Sequence, residues 1–218
     1  MEHYNVDFKK RYGQNFLKRK AVVERIADVC SLTDKDLVIE VGPGGAILTQ
    51  ELAKRAGHVL AYEIDTDLQG ELHRKLENFS NVEVLFQDFL TSSLEQDISR
   101  FSYQSLYFIS NVPYYITTPV ITRLLEEKLP INNIVVMVQK EVAQRLCALP
   151  GGKDYGAITL LCRYFTAPEI ITNVKAGLFV PPPKVDSAVV RLKMLDAPAV
   201  SVKSEDMFFK TVRFAFAQ

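Results

Sequence analysis

Short apolar runs alternate along the chain with segments of helical spacing. The runs are "LVIEVG" (37–42), "HVLAYEID" (58–65), "VEVLFQD" (82–88), "SLYFISN" (105–111) and "NIVVMVQ" (133–139). They are apolar on successive residues rather than on every second one, as strands covered on both faces are. Between them, "AILTQELAKRA" (46–56), "TDLQGELHRKLENF" (66–79) and "TPVITRLLEEKL" (118–129) repeat apolar residues at three-and-four spacing, which predicts helices with one buried face. Strand and helix in alternation predict right-handed crossovers and a parallel sheet with helices on both sides, an α/β fold.

Past residue 139 the pattern changes. "YGAITLLCRYF" (155–165) predicts a helix, and "EIITNVKA" (169–176) and "KVDSAVVRLKML" (184–195) predict two strands joined through "GLFVPPP" (177–183). Such an antiparallel pair would close the sheet. "SEDMFFKTVRFAFAQ" (204–218) is amphipathic and helical but is followed by neither a glycine cap nor a polar tail, so a helical segment cut short is expected there.

Composition narrows the class. With 218 residues and 48% apolar content the chain can bury a core, and no apolar stretch reaches the roughly 18 residues that a membrane span requires. A soluble, cytoplasmic, monomeric protein is expected. Cys30, Cys147 and Cys162 lack paired spacing and read as small buried hydrophobes, and the scattered histidines 3, 58 and 73 suggest neither a metal nor a catalytic cluster. The net charge is zero, yet Lys9, Lys10, Arg11, Lys18, Arg19 and Lys20 face only Glu2 and Asp7 in the first twenty residues, a local excess of +4. Charge alone leaves a solvated tail and an RNA-facing arm equally open.

Ligands of open parallel sheets bind beyond the carboxyl ends of the strands, so candidate chemistry is sought there. The first strand ends in "EVGPGGA" (40–46), where Gly42 and Gly44 permit close backbone approach. Counted from Gly42, the third glycine of a dinucleotide fingerprint would fall on Ile47, which disfavours a diphosphate cradle. Glu63 ends the second strand 21 residues after Gly42 and could accept from ribose hydroxyls. Asp88 ends the third and could accept from an adenine amino group, with Ile64 and Phe89 on either face of the purine. A tight turn, a solvated strand end and a turn cap would explain these residues singly. Their order on successive strand ends points instead to a nucleoside without diphosphate, for which S-adenosyl-L-methionine is the natural candidate.

The fourth strand delivers "NVPYY" (111–115) to the same rim. Pro113 holds Val112 extended, so that the Val112 carbonyl can face the pocket, and the next helix is expected to begin with Thr117 or Thr118 as cap and Pro119 at its first position. Adenine N6 is a weak nucleophile because its lone pair is delocalised into the ring. The Asn111 side-chain oxygen and the Val112 carbonyl, aimed at its hydrogens, would favour a more pyramidal amine, and Tyr114 offers a face for an unstacked base.

At these residues the sequence resembles the ribosomal RNA adenine N6-dimethyltransferase family, in its small-subunit branch. The motifs are "YGQNFL" (12–17), "EVGPGGAILT" (40–49), "YEID" (62–65), "QDFL" (87–90), "NVPYYITTP" (111–119), "VQKEVAQRL" (138–146) and "FVPPPKVDSAVVRL" (179–192). The resemblance implies a Rossmann-like seven-stranded S-adenosylmethionine-dependent methyltransferase fold followed by the start of a small helical C-terminal domain. It divides the chain into a basic arm and helix completing the cofactor site (1–36), a catalytic domain (37–196) and the first C-terminal helix (197–218).

By the same resemblance the activity is dimethylation of two adjacent adenines in the 3'-terminal hairpin of 16S ribosomal RNA within the immature small subunit, leaving S-adenosyl-L-homocysteine and using no metal. Asn15 and Leu17, with Gln14 beside them, would contact the methionine end of the cofactor. Asn111 would touch cofactor and amine, and Phe179 would help clamp the target base. Val112 stands where the family often has leucine or isoleucine. The alternatives are an erythromycin-resistance-type 23S enzyme, a transcription factor derived from the family and a ribosome-assembly binding factor.

Overall fold

The structure, a computed structural model, describes residues 16–17 and 20–216, the first two for their backbone alone. Its main sheet has seven strands, β2 (Asp36–Val41), β3 (His58–Tyr62), β4 (Val82–Leu85), β5 (Ser105–Ser110), β6 (Ile131–Gln139), β7 (Thr166–Val174) and β9 (Ser187–Met194), in the order β4-β3-β2-β5-β6-β9-β7. The pairings from β4 through β6 are parallel. β9 runs antiparallel to both β6 and β7, the closing pair that the period-two segments predict. A separate two-stranded sheet pairs β1 (Phe16–Leu17) with β8 (Phe179–Val180), which no periodicity announced because each strand has two residues.

Helices α1 (Lys20–Ala27) and α2 (Ile47–Ala53) contribute to one core cluster, and α5 (Thr117–Glu126) and α7 (Ala157–Phe165) to another. Strand alternation divides the sheet between them: Leu37, Ile39 and Val41 join Phe108 and Val136, whereas Val38 joins Ile109, Met137 and Leu52. By that alternation Glu40 shares the face of Val38, toward α1 and α2. Every residue of β2 is buried. Burying a large aliphatic side chain stabilises a fold by roughly 1.5–3 kcal/mol, and Leu37 and Ile39 each contribute on that scale.

Helix α3 (Gln69–Leu76) is preceded by a 3-10 turn over Thr66–Leu68 that Asp65 caps through the Asp67 N–H at 3.1 Å. Helix α4 (Leu94–Ser99) was not visible in the apolar spacing, since Leu94 and Ile98 are its buried residues and it spans little more than a turn. α6 (Lys140–Cys147) follows β6 directly. Pro168 falls within β7, where the missing N–H is tolerated because β7 is an edge strand. α8 (Glu205–Phe216) packs on α7 through Tyr164, whose ring lies 5.3 Å from Phe208 and 5.1 Å from Phe209. Among the described residues no helix is long and apolar enough to cross a membrane.

Candidate active site

The chain leaves β2 toward β3 and β4, then returns on the other side of β2 as β5, so the strand order reverses between β2 and β5. A cleft with about 1220 Å³ of empty space, open solvent included, lies at that reversal, where open α/β sheets place their ligands.

The glycine turn after β2 forms its floor. Gly42 has φ +71° and donates to the Tyr62 carbonyl at 2.8 Å, and a Cβ there would stand 3.4 Å from the Pro113 ring. The left-handed backbone favours glycine here, and the fourth-strand loop packs directly on it. Glu63, 2% exposed, spans the turn: Oε2 accepts from the Gly44 N–H at 3.2 Å and Oε1 from the Asp65 N–H at 2.9 Å. Burial raises its pKa, opposed by those backbone donors. The carboxylate thus braces the floor while keeping lone pairs available for a ribose.

Asp88 caps the 3-10 turn Phe89–Thr91, its Oδ1 accepting from the Leu90 N–H at 2.8 Å. Phe89 is 3% exposed and packs edge-on against Tyr62 at 5.3 Å. The Arg123 guanidinium lies over its ring at 5.2 Å and donates to the Phe89 and Ser92 carbonyls, so α5 fixes this turn from outside the cleft. Ile64 also lines the cleft and is 45% exposed.

Asn111, Val112, Pro113 and Tyr114 line the cleft together. Val112 is buried at 1%. The Tyr114 hydroxyl meets Ser187 Oγ at 2.6 Å, and burial raises its pKa. The helix start differs from expectation: a 3-10 turn over Tyr114–Ile116 runs straight into α5, Ile116 is the capping residue, and Pro119 occupies the third position rather than the first. A proline in the first turn still forfeits no intrahelical bond, because those N–H groups have none.

Two rim residues escaped sequence reasoning. Ser110, fully buried, donates its hydroxyl to the Val41 carbonyl at 2.7 Å and accepts from the Val41 N–H at 3.3 Å, locking the ends of β2 and β5 together. Glu40 is 2% exposed and lines the cleft, and its Oε2 and the nearby Thr49 hydroxyl fall short of hydrogen-bond geometry, though they lie close enough for Thr49 to act on its pKa. Burial pushes its pKa up to about 8, with the Glu63 charge adding to the rise and Thr49 opposing it. A strand of aliphatic residues gives no warning of a buried acid except the glutamate itself.

Other expected residues lie elsewhere. Asn15 is outside the described residues, and Leu17 is seen only as backbone paired in register with Phe179. Phe179, at 1% exposure, joins the core cluster of Val174 and Val189 and does not line the cleft.

Glu40, Glu63 and Asp88 line the cleft, and no lysine, arginine or histidine does among the described residues. Such a lining offers no cation to a phosphate and suits a nucleoside that carries positive charge; a sulfonium or ammonium group beside Glu40 would favour its ionised form. S-adenosyl-L-methionine has both cations, so the residues present fit it.

A family model described as "Ribosomal RNA adenine dimethylase" matches residues 5–218. The chain belongs to that family. It is 44% identical over 220 residues to "Ribosomal RNA small subunit methyltransferase A" of Anoxybacillus flavithermus, covering 100% of the chain and 75% of the relative. Its fold matches the crystal structure of the 23S rRNA methyltransferase ErmE with a TM-score of 0.76 at 32% identity, over 93% of this chain and 79% of that one. It also matches a dimethyladenosine transferase from Plasmodium falciparum with a TM-score of 0.78 at 28% identity, over 93% and 71%. The chain has the Rossmann-like seven-stranded methyltransferase fold.

Proposed function

We propose that this chain methylates N6 of two adjacent adenines in the 3'-terminal hairpin of 16S ribosomal RNA, using S-adenosyl-L-methionine, within the immature small subunit. The reading is carried by one juxtaposition: the Asn111–Tyr114 loop opens onto a cleft walled by Glu40, Glu63 and Asp88 and free of basic residues among those described.

The bound cofactor supplies an electrophilic methyl group and leaves as S-adenosyl-L-homocysteine. Glu63 would hold the ribose and Asp88 the adenine amino group, with Ile64 and Phe89 flanking the purine. The Asn111 side-chain oxygen and the Val112 carbonyl would accept the hydrogens of the target amine, raising lone-pair density on its nitrogen in line with the methyl carbon. The amine then sheds one proton to solvent for each methyl gained, so alignment rather than a strong base sets the rate. Tyr114 would support the unstacked base, a contact worth about 1–3 kcal/mol.

Residues 1–36 would complete the site as an arm and helix, consistent with Val23 and Ile26 of α1 in the lining, while 37–196 carry catalysis and 197–218 begin a further helical unit. The working form would be a cytoplasmic monomer. Identity of 44% to a small-subunit methyltransferase A, against 32% to ErmE, favours the 16S substrate over the 23S one.

The test is incubation with labelled S-adenosyl-L-methionine and unmodified small or large subunits, followed by mapping of N6,N6-dimethyladenine by mass spectrometry. Label in the terminal hairpin of the small-subunit RNA is expected. Label confined to the large subunit, or none despite cofactor binding, would overturn the proposal.

A further inference from the structure

Tyr114 belongs to a short loop, and something must hold its ring still if a base is to rest on it. One end of the loop is held close to the cleft floor, since a Cβ on Gly42 would stand 3.4 Å from the Pro113 ring, and Pro113 fixes its own φ. The other contact crosses the fold: the Tyr114 hydroxyl lies 2.6 Å from Ser187 Oγ, 73 residues later in the chain.

Ser187 is placed for this by topology. Because β9 runs antiparallel to β6, its first residue falls at the rim where β5 and β6 have their last. Ser187 is fully buried and lies in register between Gln139 of β6 and Val174 of β7. Its backbone is fixed by the residue before it: the Asp186 carbonyl accepts from the Lys140 N–H at 2.9 Å, and the Asp186 carboxylate accepts from the Ala176 N–H at 3.0 Å and Lys175 Nζ at 2.8 Å. The strand ladder needs only the backbone of residue 187, so its hydroxyl is free to serve the tyrosine. A part-buried phenol deprived of its partner would reorient or recruit water.

We infer that Ser187 is a positioning residue for methyl transfer, its hydroxyl fixing the Tyr114 ring on the wall of the cleft. The inference rests on Tyr114 supporting the target base, as proposed above. It assigns the "KVDS" turn a part in the reaction: Asp186 anchors the backbone, Ser187 orients Tyr114, and neither touches the substrate.

The test combines rate, affinity and ring mobility in Ser187→Ala, Ser187→Thr, Tyr114→Phe and the Ser187→Ala/Tyr114→Phe double variant. Single-turnover transfer to unmodified small subunits should fall about tenfold in Ser187→Ala and in Tyr114→Phe, the scale on which a displaced reacting group slows an aligned reaction. The double variant should be no slower than either, Ser187→Thr should recover most of the rate, and cofactor affinity should not change. In protein labelled with 3-fluorotyrosine, the resonance missing from Tyr114→Phe should shift in Ser187→Ala.

Wild-type rate in Ser187→Ala, or losses that multiply in the double variant, would overturn the inference. If the wild-type chain methylated no subunit, the proposed function would fall separately. The fluorine spectrum would still decide the Ser187 contact, and an unchanged Tyr114 resonance in Ser187→Ala would refute it.

Discussion

Replacing Glu40 by glutamine isolates the effect of burying a carboxyl at the cleft. Its pKa is pushed from the ordinary 4.5 up to about 8, chiefly by burial. The folded chain therefore keeps this proton over a range in which the unfolded chain has released it. The stabilisation from the neutral form is complete below about pH 4.5 and is lost as pH rises toward 8. Linkage at about 1.4 kcal/mol per pH unit, allowing for partial ionisation near both ends, makes the loss between pH 5 and 8 on the order of 3 kcal/mol.

Glutamine has nearly the same shape and does not titrate, so the difference between the two proteins isolates this one group. Urea unfolding of cofactor-free wild type and Glu40→Gln across pH 5 to 8 should show wild type weakening progressively relative to the variant. Saturating S-adenosyl-L-methionine should reduce that divergence, because a cation beside Glu40 favours its charged form. Parallel stability curves for the two proteins would refute the claim that Glu40 is held neutral by its surroundings.

Other outcomes follow from the same geometry. Asn111→Ala should lower single-turnover methyl transfer by about 10²–10³-fold, as expected for removing one preorganised polar contact, while the variant still sediments with immature small subunits. Joint loss of transfer and association would argue that binding and catalysis are inseparable. Glu63→Ala should weaken cofactor binding by roughly 1.5–3 kcal/mol in calorimetry, and unchanged affinity would remove Glu63 from the ribose. Gly42→Ala puts a Cβ at φ +71°, 3.4 Å from Pro113, and should cost about 1–2 kcal/mol in urea unfolding. Equal stability would mean that the floor of the cleft relaxes freely.

The sheet was legible because its strands are apolar on both faces and its helices on one, two patterns that burial imposes directly on residue choice. The rim was legible at Gly42, Glu63, Asp88 and Asn111 because each interrupts such a pattern at a strand end. What escaped notice depends on distance in the chain. Ser110 matters through its bond to Val41, and Ser187 through Tyr114. Nothing in the sequence marks Glu40, whose significance lies in the burial of its carboxyl at the cleft. The start of α5 was misplaced because threonine and proline are favourable starting residues wherever a helix begins, and tertiary placement chose Ile116 instead.

The strand order also has a temporal side. β9 lies between β6 and β7 although it follows both in the chain, so neither can complete its pairing until residues 187–194 have been synthesised. During synthesis β6 thus waits with an unpaired edge, and Tyr114 waits without Ser187. Assembly of the sheet and arming of the loop become a single late event. Amides of β6 in nascent chains stalled before residue 187 should accordingly exchange with solvent much faster than in chains that include β9.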